Sequence, residues 1–247
     1  MDVLTIVTVN KNSGKSFITT ELNVIKCLKS ISNVNWLIID SMSNDISSER
    51  IENIKKNYSD LPINILREKD NGIYNGMNKA ILKVQSKFIL FINSGDTLDY
   101  GVLKKINLKT IDKFCSIIFS YKNKTINKFP FNFLKMILHN FESFLRLSLP
   151  SSHNAIIYSS LILKKYPFNE NYICASDYDQ YQKMIKNKSK FIYKKNFKLS
   201  TISSSGFISK RKFSSYSEYI KINKDNNFVL NYFYWLLRLK LLKYIKI

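Results

Sequence analysis

A chain of 247 residues, 45% hydrophobic and 14% aromatic, can bury the core of one large domain, which excludes a disordered polymer. Lysine and arginine number 39 against 18 acidic residues, a formal charge of +21, so nucleic acid, anionic lipid and phosphorylated ligands are the partners that charge alone admits. No apolar run approaches the ~20 residues of a membrane-spanning helix, and the scattered Cys27, Cys115 and Cys174 exclude a zinc spacing or a C-x-x-C pair.

Leu4 to Val9 is an apolar, β-branched run of the kind that forms a strand buried on both faces. Ser16 to Ser30 follows as a helix, with Phe17, Leu22, Ile25 and Leu28 at helical spacing. Between them, "NSGKS" (Asn12 to Ser16) imitates a phosphate-binding loop. That loop needs a glycine five residues before Gly14, where this chain has Val9, which argues against a nucleoside triphosphatase. Trp36 to Ile39 is a second strand. Ile46 to Tyr58 is a helix with Ile51 and Ile54 inward and Asn44 or Asp45 as its cap. Pro62 to Leu66 is a strand, Ile73 to Val84 a helix and Phe88 to Ile92 a strand. This alternation predicts an α/β fold with a mainly parallel sheet between helices.

The second half is less regular. Phe114 to Tyr121 reads as a strand, Phe129 to Pro150 as an aromatic, leucine-rich helical stretch, and His153 to Ser159 as another strand. Asp177 then lies near the start of a helix striped by Tyr178, Tyr181 and Ile185, and His139 looks structural within its aromatic helix. With no internal repeat or linker, the expectation is one compact domain over residues 1–210 and a helical extension over 211–247.

In parallel α/β sheets, ligands sit at the carboxyl ends of the strands. Here those ends are Thr8 to Asn12, "DSMSND" (Asp40 to Asp45), "REKDNG" (Arg67 to Gly72) and "NSGD" (Asn93 to Asp96). Any one of them reads as a turn or a cap. Together at one edge, most of them bearing carboxylates, they describe a site for a polar ligand.

These segments resemble family 2 glycosyltransferases, enzymes of the GT-A fold. The matching residues are "LTIVTVNKN" (4–12), "WLIIDSMSND" (36–45), "REKDNGIYNGMNKAI" (67–81), "FILFINSGDTL" (88–98), "SSHNAIIY" (151–158) and "FNENYICASDYDQYQKM" (168–184). The likeness spans about residues 3–210. Its most specific part, the run "DNGIY…MNKAI…FINSGD", resembles transferases of bacterial surface polysaccharide assembly, of the O-antigen, capsule and colanic-acid types.

The resemblance implies transfer from a nucleotide diphosphate sugar, a UDP-sugar in the first instance, to a lipid-linked glycan. Residues 1–100 would bind the nucleotide sugar and 101–210 would face the acceptor. Thr8 and Asn12 would line the nucleotide pocket, Asp40 would accept from the uracil N–H, and Asp70 would lie near the nucleotide or the sugar. Lys79 would face the diphosphate and Asn93 a ribose hydroxyl. Where many members carry Asp-x-Asp-Asp, this chain has Asn93-Ser94-Gly95-Asp96. Asp96 is therefore the single carboxylate left to hold Mn²⁺ or Mg²⁺, cations whose oxygen ligands come largely from the diphosphate and water. Inversion needs a base opposite the leaving group. The resemblance gives that role to Asp177, with Asp179 as the alternative and His153 bordering the acceptor.

Leu230, Phe233, Tyr234, Leu237, Leu241, Tyr244 and Ile245 recur at helical spacing, with Arg238, Lys240, Lys243 and Lys246 on the broad opposite side. This pattern suits an interfacial helix on an anionic membrane, aided by Lys210, Arg211 and Lys212. It suits equally a stripe packed on the domain or on a partner chain. The N-terminus lacks the basic region of a signal peptide, so a cytoplasmic location is expected. A basic nucleic-acid-binding protein, or a transferase that binds sugar nucleotide without turnover, are the other functions the sequence allows.

Overall fold

The structure, a computed structural model, describes residues 2–123, 147–203 and 212–245. In its first hundred residues, β1 (Leu4–Asn10), β2 (Val34–Asp40), β3 (Ile63–Arg67) and β4 (Phe88–Phe91) alternate with α1 (Lys15–Ser30), α2 (Ile46–Asn57) and α3 (Ile73–Lys83). Every expected element is present there, with ends displaced by two residues at most. The second half contributes β5 (Thr97–Leu98), α4 (Tyr100–Lys104), β6 (Cys115–Asn123), a 3-10 turn at His153–Ala155, β7 (Ile156–Ser159), α5 (Ser160–Lys165), α6 (Ser176–Lys186), β8 (Lys190–Ile202), α7 (Lys212–Asp225) and α8 (Val229–Ile245).

Among the described residues the strands form one eight-stranded sheet in the order β3-β2-β1-β4-β7-β6-β8-β5. The pairs β1–β2, β1–β4, β2–β3 and β6–β8 are parallel; β7 runs antiparallel to β4 and β6. Alternating side chains serve two cores. Leu4, Ile6, Trp36, Ile38, Phe88 and Leu90 face α1 and α2, where the Trp36 and Phe17 rings stack at 6.2 Å. Val7, Leu37, Ile39, Ile89 and Phe91 face the other way, toward Tyr74, Met77 and Ile81 of α3. Each such fully buried side chain contributes about 1.5–3 kcal/mol. α3 comes unusually close to β1: a Cβ on Gly76 would stand 2.6 Å from Val9 Cγ1, so only glycine permits the contact.

Three differences from expectation have physical reasons. His153 does not start a strand; it opens the 3-10 turn, and β7 begins at Ile156. The turn frees the His153 and Asn154 side chains for contacts outside the sheet. β8 escapes a periodicity reading because "KFIYKKNFKLSTI" carries lysines along a strand whose side chains are nearly all exposed or half-buried; its long pairing with β6 makes it a strand nonetheless. In α8 it is Trp235, outside the expected stripe, that docks. It packs on Tyr219 and Tyr216 at 4.4 and 5.0 Å, and its indole N–H donates to the Leu147 carbonyl at 2.8 Å. Leu230 is 82% exposed and Phe233 60%. Most of the expected helix at Phe129 to Pro150, His139 included, lies outside the described residues, as do Lys210, Arg211 and Lys246. Among the described residues no helix is long and apolar enough to cross a membrane.

Candidate functional site

The order β2-β1-β4 reverses the direction of winding at β1, which opens a crevice at the carboxyl ends of β1 and β4. Asn10, the last residue of β1, knits that edge together. Its amide nitrogen lies 2.9 Å from Asp40 Oδ1 and 3.0 Å from both Ser43 Oγ and Ser47 Oγ. Its Oδ1 accepts from Ser13 Oγ, and from Ser94 Oγ at 3.1 Å. One side chain thus joins the ends of β1, β2 and β4.

Asp40 is 0% exposed. Besides Asn10, its carboxylate accepts from the Ser43 hydroxyl at 2.6 Å and the Ser43 N–H at 3.1 Å, and Arg67 Nε lies 3.1 Å away. A uracil contact would have to exchange one of these bonds, because the carboxylate is spent on building the loop. Thr8 differs from expectation more plainly: its buried hydroxyl accepts from the Trp36 indole N–H at 3.0 Å, so it belongs to the core and does not line the crevice. Asn12 does stand at the exposed rim. Its N–H donates to Ser43 Oγ at 2.9 Å, and its Oδ1 accepts from the Asn44 N–H at the same distance. Asp45 caps α2 through the Ser47 N–H at 3.0 Å and reaches the Gly14 N–H at 2.7 Å. Burial opposes ionisation there, but these hydrogen bonds outweigh it and hold Asp45 below the usual carboxylate range.

Asp70 is buried under the loop before α3, its Oδ1 accepting from the Gly72 N–H at 3.2 Å. Lys79 is committed to the same loop: its ammonium lies 3.0 Å from Glu68 and donates to the Lys69 carbonyl at 2.6 Å. It clamps the end of β3, where a diphosphate contact was expected.

The turn after β4 is fixed from α1. Thr20 Oγ1 accepts from the Gly95 N–H at 2.9 Å and lies 3.0 and 2.8 Å from the Asn93 and Asp96 carbonyls. Gly95 has φ +97°, a left-handed conformation in which a side chain would be strained. The turn presents Asn93 and Asp96 to the second half of the chain. Asn93 Nδ2 lies 3.0 Å from His153 Nε2, and His153 Nδ1 lies 3.5 Å from Asp177 Oδ2. Asn93, His153 and Asp177 therefore form a line across the site, from β4 to α6.

Asp177 is 4% exposed, with its Oδ1 accepting from the Tyr178 N–H at 2.9 Å. Burial first, and then the Asp177 carboxylate, push the Tyr74 and Tyr158 phenols well above their usual range, so both remain neutral neighbours of the base candidate. Asp179 is paired with Lys183 at 2.7 Å, on the next turn of the helix.

Asp96 is 3% exposed; its oxygens accept from the Asn154 amide and from the Ser203 N–H, the latter at 2.7 Å. Among the described residues no three His, Cys, Asp or Glu side chains gather into a cation site. A lone, hydrogen-bonded carboxylate fits a divalent cation that arrives on a diphosphate; it does not fit one resident in the empty protein. A separate cleft of about 570 Å³, lined by Thr5, Asn35, Asn64 and Ser86, lies at the opposite ends of the strands and gathers none of these groups.

Asn10, Thr20 and Asn154 carry much of this geometry and went unassigned from sequence. Asn10 offered a signal, a polar residue ending an apolar strand, and Asn154 stood in the "SSHNAIIY" motif; Thr20 is legible only once α1 is placed in space.

The parallel half-sheet with its crevice, completed by an antiparallel strand and a second half that brings a carboxylate to the same edge, defines the GT-A class of fold. The model of the family described as "Glycosyl transferase family 2" matches residues 5–167, and the chain belongs to that family. The match stops before α6, so Asp177 and Asp179 lie beyond it. None of the curated proteins matches the sequence.

Among solved structures, S. aureus TarS 1–349 in complex with UDP-GlcNAc is 17% identical with a TM-score of 0.66, over 89% of this chain and 65% of that one. TarS 1–349 in complex with UDP is 18% identical with a TM-score of 0.64, over 89% and 64%. The mannosyltransferase PcManGT from Pyrobaculum calidifontis, in complex with GDP-Man and Mn²⁺, is 13% identical with a TM-score of 0.69, over 90% of this chain and 63% of that one. This chain thus spans somewhat less than two thirds of the length of these neighbours, and at such identities the likeness is one of fold.

Proposed function

We propose that this protein is an inverting glycosyltransferase that moves a sugar from a nucleotide diphosphate, a UDP-sugar, to a lipid-linked glycan in bacterial surface polysaccharide synthesis of the O-antigen or capsule kind. The observation that carries the reading is the line Asn93–His153–Asp177, which joins the crevice of the nucleotide-binding half to a buried carboxylate from the other half. The nucleotide sugars held by TarS and PcManGT support the donor class.

Asp177 takes the proton of the acceptor hydroxyl as its oxygen attacks the anomeric carbon, and the bond to the diphosphate breaks on the opposite face. His153 holds Asp177 toward the crevice and Asn93 fixes the ring. A divalent cation bound with the donor would neutralise charge on the departing diphosphate, and Asp96 is the carboxylate that would hold it. Asn12 stands at the nucleotide rim, with Asp40 and Asp70 shaping the loops around it. The exposed Leu230, Phe233 and Leu237 of α8, followed by Lys240, offer an anionic membrane surface an apolar and basic face, which suits an acceptor carried on lipid at the cytoplasmic side.

Calorimetry tests the donor site: UDP, GDP, CMP and ATP, each with and without Mn²⁺, titrated into wild type and Asp96→Ala. UDP is expected to bind in preference to the others, more tightly with Mn²⁺, and Asp96→Ala should weaken the Mn²⁺-dependent part by about tenfold or more. Failure of every nucleotide to bind would sink the reading. Nucleotide binding without transfer to any lipid-linked acceptor would favour the binding-only alternative.

A further inference from the structure

The structure assigns to Glu218, on α7, the role of a positioning residue for Asp177. Its carboxylate accepts three backbone N–H groups of the segment that leads into α6: Ile173 at 2.7 Å, and Cys174 and Ala175 at 2.8 Å each. These amides immediately precede the first turn of α6, where Asp177 sits. The cap residue of α6, Ala175, makes no side-chain cap of its own, so a carboxylate from a different helix does that work.

The attachment is reinforced beside it. Tyr178 packs edge-on against Tyr219 at 4.6 Å and donates its hydroxyl proton to Asn223 Oδ1 at 3.0 Å. Tyr172, Ala175, Tyr178 and Ile222 form a small core shared by α6, its leading segment and α7. The base candidate is thereby held from two sides. His153 contacts its carboxylate, and Glu218 fixes the backbone that carries it. Hydrogen bonds to an ionised acceptor are short and stronger than neutral ones, and three on one carboxylate set both the height and the rotation of the segment. Displacement of a reacting group by about 1 Å can cost on the order of a hundredfold in rate. The C-terminal helices are therefore part of the acceptor side of the active site, although no residue of α7 has to touch substrate.

This inference rests on the assignment of Asp177 as the base, and the experiment separates the two. Steady-state transfer is measured for wild type, Glu218→Gln, Glu218→Ala, Asp177→Asn and the double variant Glu218→Gln/Asp177→Asn, with melting temperatures and UDP affinity recorded alongside. Glutamine keeps the shape but turns an N–H donor toward N–H groups. Both Glu218 variants are expected to lose about 10–100-fold in kcat, with donor KM and UDP affinity within about twofold of wild type. In the Asp177→Asn background, Glu218→Gln should add no further loss, since the group it positions is gone. Lys224→Ala, on an exposed position of the same helix, should leave kcat unchanged.

Wild-type kcat in Glu218→Gln would overturn the proposal. So would a lowered melting temperature with unaltered kcat at 25 °C, or losses that multiply in the double variant. If Glu218→Ala does not fold, Glu218→Gln carries the comparison alone. Full activity in Asp177→Asn would instead overturn the base assignment, a result the single Asp177 variant reports by itself.

Discussion

The two sides of the crevice are built differently. On the side of β1 and β2, Asn10, Asp40, Ser43 and Arg67, all from the first half of the chain, bind one another directly. On the side of α6, the Asp177 carboxylate meets His153 from the 3-10 turn, and the backbone that leads to it is held by Glu218 from α7. The first side is a preformed frame whose loss should show in stability and nucleotide affinity together. The second is assembled from the 3-10 turn, α6 and α7, and its loss should show in turnover.

The sharpest break of this contrast comes from Asp40→Ala. It removes a fully buried acceptor from Asn10, Ser43 and Arg67 at once, and should destabilise the fold by about 2–4 kcal/mol while weakening UDP binding. Chemical denaturation and calorimetry check both, and a stable variant with intact UDP affinity would show that the frame is redundant. Next in size is Gly76→Ala. Its Cβ would press on Val9 Cγ1 and lie 3.1 Å from Asp70 Oδ2. Denaturant melts should reveal a cost of about 1–3 kcal/mol, with kcat changed less than by Glu218→Gln.

The smallest effect concerns pH. Burial, only partly offset by Lys104, pushes the Cys27 thiol of α1 from 9.0 up to about 12. The folded state thus favours the neutral thiol more than the unfolded chain does. Stability that is complete below pH 9 should fall as pH rises from there toward 12, by about 1.4 kcal/mol at pH 10. Melting curves of wild type and Cys27→Ala from pH 8 to 10.5 test this, and equal slopes would contradict it.

The same contrast explains what could be read in the sequence. β1 to β4 and α1 to α3 each carry their own periodicity, and the local motif at Asn93 to Asp96 announces the turn after β4. The place of Asp177 in the first turn of α6 was legible through its neighbours in "ASDYDQ". The fixed environment of Asp40 and Thr8 was not, because it depends on Arg67 and Trp36, which only the parallel register of β1, β2 and β3 brings alongside. Glu218 gave no local signal at all. It is an ordinary acidic residue on an exposed-looking helix until α7 is laid against the start of α6.

The 3-10 turn has a consequence for how this chain can vary. His153 reaches Asn93 and Asp177, while the very next residue, Asn154, reaches Asp96. Two consecutive side chains thus address separate ends of one site, and their assignment depends on a count of residues as much as on their identity. Loss or gain of a single position between Asn154 and Ile156 would shift both out of phase with their partners, a loss putting histidine where the amide now stands. Length, here, is as strictly constrained as chemistry.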